Sequence, residues 1–122
     1  MAKKQQIKWF KEPEIHDYPA AQDYLELLFE EHTAKFFVVT LKSTKIVYKK
    51  AKDIFRASGL SLLGVSNSHV QKNQEKISKG KKMSPILLVR REGEKVIIAD
   101  GYHRLCAVYH FNEDALIPCK IA

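Results

Sequence analysis

The chain has 122 residues and a mass of 14.0 kDa, the size of one domain and too short for a barrel enzyme of about 250 residues or a two-domain dinucleotide enzyme. Apolar residues make up 45% and charged residues 29%, which allows one core and excludes a disordered tail. Lys plus Arg number 21 against 14 Asp plus Glu, giving +7 and a pI near 9.4; the surplus suits either an anionic partner (nucleic acid, nucleotide, another phosphate carrier) or an ordinary basic surface.

Residues 1–10 read as a loose basic arm, with Trp9 and Phe10 as candidate anchors. Pro13 and Pro19 bracket an irregular stretch, and Tyr24, Leu25, Leu28 and Phe29 then share one stripe of a helix running from Ala20 to about Glu31. Residues 33–42 are ambiguous. Phe36-Phe37-Val38-Val39 favours a strand by propensity, but Phe37, Val38 and Leu41 also fit a helical stripe. No turn signal separates this stretch from the one before, which favours helix. Ile46-Val47-Tyr48 is a short strand candidate, and Ala51–Ala57 a helix that stops at Gly59.

Residues 60–66 form a turn-rich connector. Asn67 or Ser68 can cap a helix that runs to about Ser78, and KGKKMS follows as an exposed basic loop. The last third gives a strand Ile86–Arg90, a hairpin turn at Gly93, a return strand Val96–Ala99, a helix Tyr102–His110 and a strand Leu116–Ile121. The expected fold is α+β in a single domain. A small mixed sheet at the C-terminus, over residues 67–122, packs with a helical N-terminal part over 11–60. Continuous apolar strands imply a sheet covered on at least one face.

Cys106 and Cys119 show no CxxC spacing. The N-terminus lacks a signal peptide's apolar core, and no apolar run reaches the ~18 residues of a membrane span. A cytoplasmic protein with reduced thiols and no membrane partner is expected.

The sharpest feature is Ile97-Ile98-Ala99-Asp100-Gly101-Tyr102-His103-Arg104. An apolar strand ends in Asp-Gly and a helix begins at once. A first helical turn has free N–H groups and the positive end of the dipole, which suits an anion. Gly101 lets the backbone approach closely, Arg104 offers a planar donor fork, and His103 can donate or shuttle a proton. The alternative is a plainly capped helix, with Asp100 as the cap.

These residues resemble the signature of the ParB/sulfiredoxin superfamily, the ParB-like nuclease domain. The resemblance covers about residues 67–122: Pro85-Ile86-Leu87-Leu88-Val89, the Gly-x-His-Arg turn, Ala107 in the helix and Ile117-Pro118 in the closing strand. It implies an α+β fold whose turn binds the phosphates of a nucleotide or another phosphorylated ligand. Gly101, Tyr102, His103 and Arg104 become the phosphate cradle, with ATP, ADP or CTP and magnesium as implied cofactors.

Sulfiredoxins carry their catalytic cysteine where this chain has Tyr102, so reductase chemistry is not implied. Partition proteins add a further phosphate motif and a helical DNA-binding domain, which this chain does not show. Asp100-Gly101-Tyr102-His103-Arg104 looks closest to the Asp-Gly-His-x-Arg turn of the superfamily's free-serine kinases, which implies catalytic roles for Asp100 and His103 in phosphotransfer or nucleotide hydrolysis. His69 falls near a sulfiredoxin lysine that contacts phosphate, and His69 and Lys72 are the secondary contacts so implied.

Four rival readings are weighed against this one. The +7 charge and lysines dense over 42–56 and 72–82 suit a non-catalytic DNA-binding or regulatory protein. A nuclease lacks support from paired acidic residues. Leu63–Val70 echoes a helix-turn-helix turn, but Gly59 and Asn73 break its pattern. His103, Cys106 and His110 share one helix face, yet three ligands within two turns rarely converge on one ion, so no metal site is expected. Whether the protein is an enzyme, and whether it forms a homodimer, stays open at this point.

Overall fold

A computed structural model describes residues 6–122. Its elements in chain order are β1 (Lys8–Trp9), α1 (Asp17–Leu25), α2 (Glu31–Ser43), β2 (Val47–Lys50), α3 (Ala51–Ser58), α4 (Ser68–Ser78), β3 (Lys82–Met83), β4 (Ile86–Val89), β5 (Ile97–Asp100), α5 (Tyr102–Phe111) and β6 (Leu116–Ile121). The fold is α+β, as the sequence predicts.

The main sheet has the order β2-β6-β4-β5. β6 runs parallel to β4, while β2–β6 and β4–β5 are antiparallel, so the sheet is mixed. Helices cover both of its faces. Ile86, Leu88, Ile98, Ile117 and Cys119 pack with side chains of α3, α4 and α5. Leu87, Val89, Ile97 and Ala99 pack with Ala21 and Leu25 of α1 and Ala34, Val38 and Leu41 of α2. Successive strand residues point to opposite faces, so a strand buried on both sides must be apolar throughout. That is why Ile86-Leu87-Leu88-Val89 shows no polar alternation.

The ambiguous stretch 33–42 lies inside α2, so the helical stripe outweighs the Phe-Phe-Val-Val strand propensity. The largest departure from expectation is at both ends of the first helix. The first helix spans Asp17–Leu25 and does not reach Glu31. Pro19 sits in its first turn, where a missing N–H is tolerated. Turns over residues 26–28 and an extended Glu30 then separate it from α2, with no glycine or proline to announce the break.

The loose arm is also corrected. Residues 1–5 lie outside the described residues, but Lys8 and Trp9 form a strand parallel to Lys82 and Met83. Trp9 and Met83 pack on the core, so KGKKMS is exposed only in part. Beyond this ribbon, Lys120 is buried. Its Nζ donates to the Lys42 carbonyl at 3.2 Å and meets Glu12 at 3.0 Å. That contact ties the N-terminal segment to β6 and to the end of α2.

The helix-turn-helix reading does not hold, because residues 59–67 form an extended connector between α3 and α4 where that motif needs a turn of about 3–4 residues. Asn67 is the cap of α4; its Oδ1 accepts from the backbone N–H of His69 and Val70.

Leu87 is fully buried in the interior strand β4. Leu87→Ala is expected to cost about 2–5 kcal/mol, read as a lower denaturant midpoint with an unchanged slope.

Candidate functional site

β5 and α5 meet at Asp100-Gly101. β4 pairs Leu87 with Asp100 and Leu88 with Ile98, which leaves Ala99 as an extra residue on β5. Such a bulge re-aims the strand it interrupts. Asp100 is the last residue of β5, and Gly101 is the N-cap of α5 at φ 107. Asp100 therefore does not cap the helix. No side chain does, so the first-turn N–H groups keep their capacity for an outside acceptor.

A cleft of about 440 Å³ opens here, lined on one side by Ala20, Tyr24 and Leu60 and on the other by the run Ile98–His103. Four of the five turn residues thus face one space. Arg104 is placed differently. Its Nη2 donates to Asp100 Oδ2 at 3.1 Å and to the Pro85 carbonyl at 3.3 Å. Its Nε is buried with no acceptor among the described residues. Arg104 braces the turn from within, and only part of its fork remains for a ligand.

One residue of the site escapes sequence reasoning. Asp17, 2% exposed at the start of α1, lies close enough to Asp100 to disfavour its charged form. Asp17 Oδ2 accepts from the Glu14 N–H at 2.9 Å, and His16 Nε2 lies 3.4 Å from Oδ1. An aspartate in a first helical turn is common on surfaces, so nothing in the sequence marks this one. Burial raises the Asp100 carboxyl above its ordinary value; Arg104 opposes that, and Asp17 adds to it.

His103 packs against His69 of α4, with ring centroids 4.8 Å apart and planes tilted by 44°, and against Tyr102 at 5.7 Å. Burial and the neighbouring His69 both lower the His103 pKa, which favours the neutral ring as hydrogen-bond donor or proton acceptor. His69 thus joins the site through His103. Lys72, one turn further along α4, is exposed.

The connector 60–66 is fastened to α5 by side chains. The Tyr102 hydroxyl donates to the Ser61 carbonyl, and His110 Nε2 lies 2.7 Å from the Leu63 carbonyl. Leu60, which lines the cleft, is thereby held in place. Cys106 is fully buried and engages Leu63, and burial raises its thiol pKa. His103, Cys106 and His110 do not converge, and no group of three or more His, Cys, Asp or Glu could hold a metal among the described residues. Cys119 is likewise buried, its thiol pushed up to about 11 by desolvation.

No protein-family model, no curated protein and no solved structure matches the chain.

Two outcomes check this geometry. An aspartate whose pKa is raised in the native state binds its proton more tightly there than in the unfolded chain. Stability therefore falls as pH rises from about 3.8 through the raised value. Asp17→Asn removes one raising charge, so the Asp100 carboxyl-carbon titration by NMR should move down. An unmoved midpoint would refute the coupling. Separately, a Cβ at Gly101 would lie 2.9 Å from both Arg104 Nη2 and Ile86 Cγ1 at positive φ. Gly101→Ala should destabilise by more than about 1 kcal/mol, measured by denaturation.

Proposed function

We propose that this is a phosphate-binding protein whose site is the cleft at the start of α5. More particularly, it is a ParB-like domain that takes a nucleotide or a phosphorylated small molecule and carries out phosphotransfer or hydrolysis on it. The observation that carries this reading is the junction itself, where an uncapped helix N-terminus and the Asp100–His103 run line one cleft. The order of β4, hairpin, β5, α5 and β6, with Ile117-Pro118 in the last strand, supports the family assignment.

In this reading the phosphate group sits at the first turn of α5. The backbone N–H groups and the His103 ring donate to it, and Gly101 leaves room for the approach. His69 orients His103 through the contact of their tilted rings, and Lys72 adds charge at the rim. Asp100 is the proton acceptor for an attacking hydroxyl or water. A carboxyl with a raised pKa is a stronger base than an ordinary aspartate, which brings it closer to neutral operation. Arg104 and Asp17 hold it in position.

A magnesium ion fits poorly as a resident of the protein. Asp17 and Asp100 are its candidate carboxyl ligands, and both are already bonded, Asp100 to a cation. Magnesium usually relies on the phosphates it accompanies, so no step is assigned to it.

Titration with ATP, ADP and CTP, with and without magnesium, tests the reading. His103→Ala removes a side-chain donor to the phosphate and should weaken binding by about 1.5–3 kcal/mol, roughly ten- to a hundredfold. Asp100→Asn should keep binding and lose turnover of the bound nucleotide. If no nucleotide binds under any of these conditions, the nucleotide form of the proposal falls.

A further inference from the structure

His69, Lys72, Lys76 and Lys79 recur at i, i+3, i+7 and i+10, which places them along one side of α4. Val70 and Ile77 occupy its buried side. Lys79 is the C-cap, and the chain then turns through Gly80 into β3, where Lys82 lies directly opposite Lys8 of β1. Lys8 reaches back over this turn. Its Nζ lies 3.6 Å from where a Cβ on Gly80 would stand.

Lys8, Lys72, Lys76, Lys79, Lys81 and Lys82 are all exposed. None of them has a carboxylate partner among the described residues. Glu75 is the one acidic residue on α4. Elsewhere Lys35, Lys52 and Lys120 each meet a carboxylate, while others such as Lys45 and Lys49 form no ion pair among the described residues, so what marks this group is its alignment along one helix and one ribbon.

Two features separate this stripe from scattered surface charge. Like charges directly opposite in a strand pair are unfavourable, yet Lys8 and Lys82 are register partners in a two-strand ribbon. The helix dipole explains cations in the last turn of α4, but not Lys72 in its first half or Lys82 beyond its end. The stripe also has a direction. It begins at His69, against His103 of the candidate site, and ends at the ribbon.

We propose that α4 and the β1–β3 ribbon form a track for the phosphate backbone of a nucleic acid, read without regard to sequence, with the Asp100–Arg104 cleft at its head. This rests on the phosphate reading of the cleft only for what sits at the head; the track stands on the lysines. α4 is about 16 Å long at 1.5 Å per residue, and a duplex strand presents about five phosphates over that distance. Asn73, on the flank between the lysines and the buried side, donates its amide to the His69 carbonyl within α4, so recognition falls on the backbone.

Fluorescence anisotropy with labelled single-stranded DNA, its duplex and single-stranded RNA tests the track between about 50 and 200 mM salt. With six lysines engaged, duplex affinity should fall about a thousandfold over that range, a logarithmic slope near −5. The triple variant Lys76→Gln, Lys79→Gln and Lys82→Gln should flatten the slope by about 3. Arginine at the same three positions should restore it.

ATP titration of the glutamine variant separates the two proposals. Retained nucleotide binding with lost polynucleotide binding supports the track and leaves the cleft reading intact. Polynucleotide binding by the unmutated protein, lost in the variant, with no nucleotide binding by either supports the track and removes the nucleotide reading. No polynucleotide binding at low salt, an unchanged slope in the glutamine variant, or equal affinity for phosphatidylserine vesicles overturns the track.

Discussion

The bond between Arg104 and Asp100 is the contact on which the site depends. Asp100 ends a strand, Arg104 lies in the helix that follows, and Asp17 approaches from a helix on the opposite face of the sheet. One carboxyl therefore touches both helical layers. Arg104 also holds the Pro85 carbonyl just ahead of β4, so the same guanidinium fixes two strand ends and the helix start. The pair is mostly buried, with side-chain exposures of 17% and 18%. Ion pairs in such places contribute little net stability, while the loss of one partner is expensive because the other remains desolvated. Geometry, more than stability, is what this pair supplies. The raised Asp100 pKa says the same thing: burial outweighs the arginine, and a carboxyl held against its preference is characteristic of working sites.

The cleft is prepared on its other side as well. Tyr102, Cys106 and His110 repeat along α5 at spacings of about one turn, and all three engage backbone of the connector 60–66. The helix whose N-terminus faces the cleft thus also holds the loop that supplies Leu60 to its wall. Cys106 and His110, two of the three residues that suggest a metal ligand set by spacing, are, in space, fasteners. A helix face carries that spacing for either purpose, and only the position of the Leu63 carbonyl distinguishes them.

Legibility along the chain follows the range of the interactions. Residues 84–122 could be read closely because their determinants are local: apolar runs of strand length, Gly93 and Gly101 at positive φ, and a proline before β4. The helix over 33–42 could be read from its stripe for the same reason. The break after Leu25 could not, because it rests on packing between α1 and α2 and has no punctuating residue. The β1–β3 ribbon joins two pairs of residues more than seventy positions apart, and two-residue strands have no period to detect. Asp17 was hidden by the same distance. The turn at Asp100–Arg104 stands out by its order of residues, but the carboxyl that faces it comes from the other end of the chain.

The basic surplus acquires a location from this arrangement. Lysines that meet carboxylates, such as Lys35 with Glu31 and Lys52 with Asp114, belong to a surface balanced pair by pair, where each contributes little to stability and less as salt rises. The lysines of α4 and the ribbon stand outside that balance. Their mutual repulsion is a standing cost, carried by the Trp9 and Met83 packing that holds the ribbon against the core. A fold that needed only solubility could have interleaved acids there, as it does around α2. Concentrating unpaired charge on one side of one helix lowers stability and raises the local potential, an exchange that favours an extended anion over a compact one.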